Sequence, residues 1–183
     1  AILFMIALLT AALLAGCSAD EVTMRETARE EAQLAVQDFK DSFVPETFGF
    51  GVPWEKEFSY AQGVKTGNLI FVAGQLAHGQ EVGANGEPEY YMGDFREQFR
   101  ATLENIKAVL ASYGATMDDV VFLQNFVDPE AGSNRAGDFY PVAAELIREY
   151  FPNGLHAMTF VEIDNLYGPE QLVESNAIAV IQE

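Results

Sequence analysis

From about Phe58 onward, segments of strand-like alternation are interleaved with segments of helical period. This pattern confines the chain to a sheet with helices packed on it. Residues 59–64 and 69–74 are strand candidates joined by Lys65-Thr66-Gly67-Asn68, where Gly67 supplies the positive φ of a tight hairpin. Residues 78–91 are rich in Gly, Glu and Pro and read as a loop. Asp94 is the expected N-cap of a long helix with Phe95, Phe99, Leu103, Ile106, Leu110 and Tyr113 on one face, closed by Gly114. A strand over 119–127 and a Gly/Ser/Asn loop at 131–137 lead into a second helix, 138–151. Its stripe is Phe139, Val142, Ala143, Leu146 and Tyr150, and strands over 157–163 and 172–181 follow. The order hairpin, helix, strand, helix, strand, strand predicts a two-layer α+β domain, a mixed sheet with both helices on one face. The other face remains apolar and needs a cover, which predicts an oligomer.

Composition narrows the chemistry. With 10 Lys and Arg against 28 Asp and Glu, the 183-residue chain carries a formal charge of −18. Such a surface repels phosphate backbones, so no nucleic-acid partner is expected, and the acidity reads as a solubility feature. One cysteine, Cys17, excludes an internal disulfide framework. One cysteine with two histidines also makes a structural zinc site improbable, and neither metal nor cofactor is expected. No P-loop, Gly-x-Ser-x-Gly elbow, His-Glu-x-x-His or dinucleotide fingerprint is present.

Residues 1–16 hold no charge and end in Leu14-Ala15-Gly16 before Cys17. An apolar run closed by small residues has the pattern of a secretory signal peptide, and it is shorter than the roughly 20 residues a spanning helix needs. Leu-Ala-Gly-Cys resembles the bacterial lipobox, which implies lipidation of Cys17 and an anchor in the cell envelope. Ser18 resembles the sorting residue for the periplasmic face of the outer membrane. The lack of an initial Met and basic segment suggests a sequence clipped at its start. A linker helix is expected from a capping box at Thr23 and Glu26 to a stop near Pro45. Its apolar stripe, Met24, Ala28, Ala32, Ala35, Phe39 and Phe43, suits either a stalk or a docked helix. The expected organisation is signal peptide 1–16, lipidated linker 17–52 and globular domain 53–183.

Several runs in that domain are distinctive: Pro53-Trp54-Glu55, Tyr60-Ala61-Gln62-Gly63-Val64, Gly67-Asn68 through Gly74-Gln75, and Asn105-Ile106-Lys107-Ala108-Val109-Leu110. So are Tyr113-Gly114-Ala115-Thr116-Met117-Asp118-Asp119, Tyr150-Phe151-Pro152 and Glu174-Ser175-Asn176-Ala177-Ile178-Ala179-Val180. Together, in this order, they resemble the RidA family, also called YjgF or L-PSP. The resemblance implies a chorismate-mutase-like fold, a homotrimer, and small-molecule sites in the clefts between subunits. Active members hydrolyse 2-imino and enamino acids to 2-oxo acids and ammonia. Ribonuclease activity, reported for some members, conflicts with the acidity of this chain.

Hydrolysis of an imino acid requires a cation for the carboxylate and a group that positions water. The resemblance assigns the second task to Glu174, where composition alone would read a solvent-facing strand glutamate. The family's carboxylate-clamping arginine falls on Met158 in this sequence, and its second glutamate on Asn176. A charge-assisted hydrogen bond contributes about 1.5–3 kcal/mol, so losing the clamp should weaken imino-acid binding on the order of ten- to a few-hundred-fold. Tyr60, Gly74 and Gln75 match cleft positions, and Gly74 also reads as a strand glycine set by close backbone approach. His156, two residues from Met158, could present a cation to the same face if the strand already runs there, or could be a loop or subunit-contact histidine. His78 reads as a surface residue, and Phe122 and Phe160 as core. The expected function is binding of a small metabolite without turnover, the alternative an imine deaminase with altered substrate preference.

Overall fold

The computed structural model describes residues 19–82, 88–90, 93–130, 137–154, 156–167 and 170–182. Cys17, the expected signal peptide 1–16 and most of the 131–137 loop lie outside the described residues. The chain forms two compact units, Ala1–Val44 and Pro45–Glu183.

In the first unit, helix α1 spans Ala19–Asp41. It begins ahead of the expected cap at Thr23. Its last turns are held by Gln37 donating to Asp41 (2.8 Å) and by an edge-to-face Phe39–Phe43 pair at 5.1 Å. Among the described residues no helix is long and apolar enough to cross a membrane.

The second unit runs β1 (Glu46–Phe48), α2 (Pro53–Glu57), β2 (Gly63–Thr66), β3 (Leu69–Gln75), β4 (His78–Val82), β5 (Pro88–Tyr90), α3 (Phe95–Ser112), β6 (Val120–Val127), α4 (Tyr140–Tyr150), β7 (Ala157–Glu162) and β8 (Val173–Val180). Six strands form one sheet in the order β1-β2-β3-β8-β6-β7, and β4 and β5 form a separate hairpin. Among the described strands only β6 and β7 pair in parallel, with α4 between them in sequence. The domain is therefore the expected α+β, mixed-sheet architecture. The sequence reading misses two elements. The β4–β5 hairpin occupies the stretch read as a loop, and β1 extends the sheet from the segment read as linker. Residues 59–62 in turn are not strand: Ser59 sits at φ 53 and turns the chain. In both misses, pairing with a neighbouring strand decides a segment whose own alternation is weak.

Helix α3 forms where its stripe predicts. Asp94 accepts from the Glu97 backbone (3.0 Å) while Glu97 accepts from the Asp94 backbone (3.1 Å), the reciprocal capping box. Gly114 at φ 75 ends it. Phe99, Leu103, Ile106 and Leu110 are fully buried against the sheet, at roughly 2–3 kcal/mol each for the transfer from water. Phe139, Ala143 and Leu146 of α4 close the same core, with Phe139 5.4 Å from Phe95. The α3–α4 pairs Arg96–Glu145 and Arg100–Glu149 are exposed and add little.

Residues Val173, Ser175, Ala177 and Ala179 of β8 face the helices, and the alternate set faces away. On that outer face Phe71, Ile178 and Phe122 fall in one row across three strands, and Phe71 is 43% exposed. Phe122 therefore leaves the core that the sequence reading gave it, whereas Phe160 packs against Phe99 and Phe139.

Candidate functional site

The site begins with a tight structure ahead of β2. Pro53 starts α2, and the Glu55 carboxylate accepts from the backbones of Phe50 (2.8 Å) and Gly51 (3.1 Å), folding the preceding loop onto the helix. Tyr60 N donates to Glu55 O (3.0 Å) across the turn made by Ser59. Trp54, Phe58 and Tyr60 thereby reach one side of a cleft of about 330 Å³. Gly74 and Leu76 of the β3 end, Glu174 of β8, His78 and Tyr90 of the small hairpin, and Tyr167 complete its wall.

Gly74 and Glu174 are coupled sterically. A Cβ on Gly74 would collide with Glu174 Oε1 and stand 2.9 Å from its carboxyl carbon. Burial pushes the Glu174 carboxyl above its ordinary range, and no other group offsets the shift. Tyr60 is likewise raised, first by burial and with a smaller contribution from the negative charges of Glu55 and Glu174. His78 is 3% exposed, not the surface residue expected, and its Nδ1 lies 2.8 Å from Gly79 O. Its ring meets Trp54 edge to face at 5.8 Å, and burial holds it below the usual imidazole range, so it is neutral at physiological pH.

The remaining expected residues lie elsewhere. A bulge between Val72 and Gln75 breaks the alternation of β3 and turns the Gln75 side chain to the interior. There Gln75 Nε2 donates to Gln62 Oε1 (2.8 Å) and Gln62 Nε2 donates to the Tyr60 hydroxyl (3.2 Å). Gln75 thus reaches the cleft only through a buried relay that orients Tyr60. Asn176 shares the outward face with Glu174 but does not line the cleft, and its buried Oδ1 lacks a partner.

Met158 is on the edge strand β7, separated from β8 by β6 and paired with the inward-facing Leu123, so in one chain it is remote from Glu174. His156 lies ahead of β7 with its ring 4.1 Å from Phe151, and burial lowers its pKa. Desolvation therefore favours its neutral form and works against the cationic role considered for it.

The sequence reading missed Trp54, Phe58, Tyr90 and Tyr167 as lining groups. Trp54 stood in a motif, but nothing local brings it to Tyr90, with which it stacks at 6.1 Å and 22°. Buried amides of α3 hold the cleft from behind. Asn105 Nδ2 donates to the carbonyls of Leu76 (3.1 Å) and His78 (2.9 Å), and Gln98 bridges Glu170 O and Leu172 N. No cluster of three His, Cys, Asp or Glu suited to a metal exists among the described residues. The chemistry on offer is one half-buried carboxyl group with a raised proton affinity in an aromatic wall, suited to hydrogen bonding or proton exchange with a small ligand.

Residues 54–181 match the family described as Endoribonuclease L-PSP. A RutC family protein of Pyrococcus abyssi is 37% identical over 120 residues, 66% of this chain and 84% of that protein. A 2-iminobutanoate/2-iminopropanoate deaminase of Dermatophagoides farinae is 30% identical over 128 residues, 67% of this chain and 86% of its own. Among solved structures, a member of the YjgF/YER057c/UK114 family from Mycobacterium tuberculosis is 25% identical with a TM-score of 0.61, covering 75% of this chain and 99% of that one. With residues 54–181 matching the family and its fold shared with a solved member, the chain belongs to the RidA/YjgF/L-PSP family.

Proposed function

We propose that this chain binds a small metabolite in the Glu174 cleft without efficiently deaminating ordinary 2-imino acids. The observation that carries this reading is the cleft wall itself, which among the described residues holds a half-buried carboxylate and aromatic rings but no lysine or arginine. An imino acid brings its own carboxylate, and placing it beside Glu174 without a cation sets two like charges in a poorly solvated space. The apolar outer sheet face supports assembly into a homotrimer, in which a neighbouring copy would contribute its β7 edge to the cleft. That edge brings Met158, which is no clamp either. The Leu14-Ala15-Gly16-Cys17 run supports export and a lipid anchor on Cys17, at the periplasmic face of the bacterial outer membrane.

The test is ammonia release from freshly generated 2-iminopropanoate, with Met158→Arg alongside. The native chain is expected to stay at the uncatalysed rate and Met158→Arg to exceed it. Rapid turnover by the native chain would overturn the reading.

A second reading, an imine deaminase with shifted substrate choice, is favoured by one observation. The Glu174 carboxyl is pushed up toward the range useful for proton exchange. The name of the Dermatophagoides relative points the same way. Ammonia release from some other imine, abolished in Glu174→Gln, would establish it.

A further inference from the structure

We infer that the Glu174 cleft selects a small organic cation without a carboxylate, an ammonium or iminium held between aromatic faces and the Glu174 side chain. The inference rests on the reading that this cleft is the ligand site, and it names the ligand's chemistry.

Five aromatic side chains line the cleft: Trp54, Phe58, Tyr60, Tyr90 and Tyr167. Trp54 and Tyr90 stack as one wall, while Phe58 and Tyr167 meet edge to face at 6.3 Å. Aromatic faces carry negative potential and attract a desolvated cation, most strongly at tryptophan. Glu174 supplies the carboxyl group of the lining, and Glu55 adds negative potential close to Tyr60 and His78.

Among the described residues no positive group lines the cleft, and Lys56 of α2 is exposed outside that lining. The lining contains no lysine or arginine, and residues 83–87, 91–92 and 168–169, which flank Tyr90 and Tyr167 in sequence, contain none either. The cations of α3 are engaged with Glu145, Glu149 and Glu104, and Lys65 with Glu46. His78 is neutral, as derived above. A ligand cation would therefore be the natural counter-charge for a carboxylate that burial leaves poorly solvated. The charge of −18 enriches cations near the whole surface but cannot choose among them. The aromatic wall can, because it favours an organic cation over a strongly hydrated metal ion.

Trp54 is the chain's only tryptophan, so its fluorescence reports on this cleft alone. The experiment titrates the purified full chain with choline, with its neutral isostere 3,3-dimethylbutan-1-ol, and with 2-oxobutanoate. Choline is expected to shift Trp54 emission saturably and to bind at least tenfold more tightly than the isostere. Glu174→Gln should remove most of that gap, and Tyr167→Leu, at an exposed rim position, should weaken choline several-fold. Equal binding of choline and the isostere would overturn the inference while leaving an apolar ligand cleft. A response to 2-oxobutanoate alone would overturn it in favour of a carboxylate site. No response to any of the three would remove both the inference and the reading on which it rests.

Discussion

Gly74 of β3 leaves open the space that the Glu174 carboxylate of the neighbouring strand β8 fills, so the cleft's single charge stands where it does because its neighbour has no side chain. Gly74→Ala forces the carboxylate to swing away. The displaced atoms are the end of a flexible side chain, and an alanine relieves some backbone entropy, so stability should change by no more than about 1 kcal/mol. The carboxyl group should move toward water and its proton affinity fall back toward the ordinary range. A 13C NMR titration of Glu174 in the variant checks this, and an unchanged titration would mean that the carboxylate had another place within the cleft.

Burial raises the Glu174 carboxyl, so the folded chain binds this proton more tightly than the unfolded chain does. Stability from this group accordingly falls as pH rises from the unfolded carboxylate value through the raised folded value. Below that window the penalty is absent, and above it the penalty is full. Glu174→Gln should melt at a higher temperature than the native chain at about pH 7 and at the same temperature near pH 3. Equal destabilisation at both values would show that the carboxylate is not held at a cost.

Asn105 lies on α3 yet supports the far side of the cleft, through its two bonds to Leu76 O and His78 O. Asn105→Leu keeps the helix and the volume but takes a donor from both carbonyls, of which Leu76 O keeps the His78 backbone N–H (3.0 Å). Losing a buried amide that bridges two acceptors costs about 1–3 kcal/mol, so urea denaturation should show a loss within that range. The His78 ring should also gain mobility, visible in its NMR line shape.

The sequence was legible where structure is local. The Asp94 cap, the stripe from Phe95 to Leu110 and the stop at Gly114 all rest on contacts within a few residues. The alternation of β8 likewise reports its own burial, since Val173, Ser175, Ala177 and Ala179 all face the helices. The family motifs marked Tyr60, Gly74 and Glu174, and the structure gathers these three around one cleft. It does not bring Met158, His156 or the Gln75 side chain there. The Gln75 miss has one cause, the bulge after Val72, which shifts the register without leaving a mark in the hydrophobic pattern.

By itself, then, the sequence determined the acidity, the order of helices and strands, the capped helix α3 and the membership of a family, because each depends on composition or near neighbours. Only the tertiary structure decided that His78 is buried against Trp54 and Tyr90, that Gln75 bonds to Gln62, and that no lysine or arginine among the described residues lines the cleft with Glu174. Those facts arise where residues distant in sequence meet, and what a side chain faces there depends on sheet register and crossing segments, which no local pattern encodes.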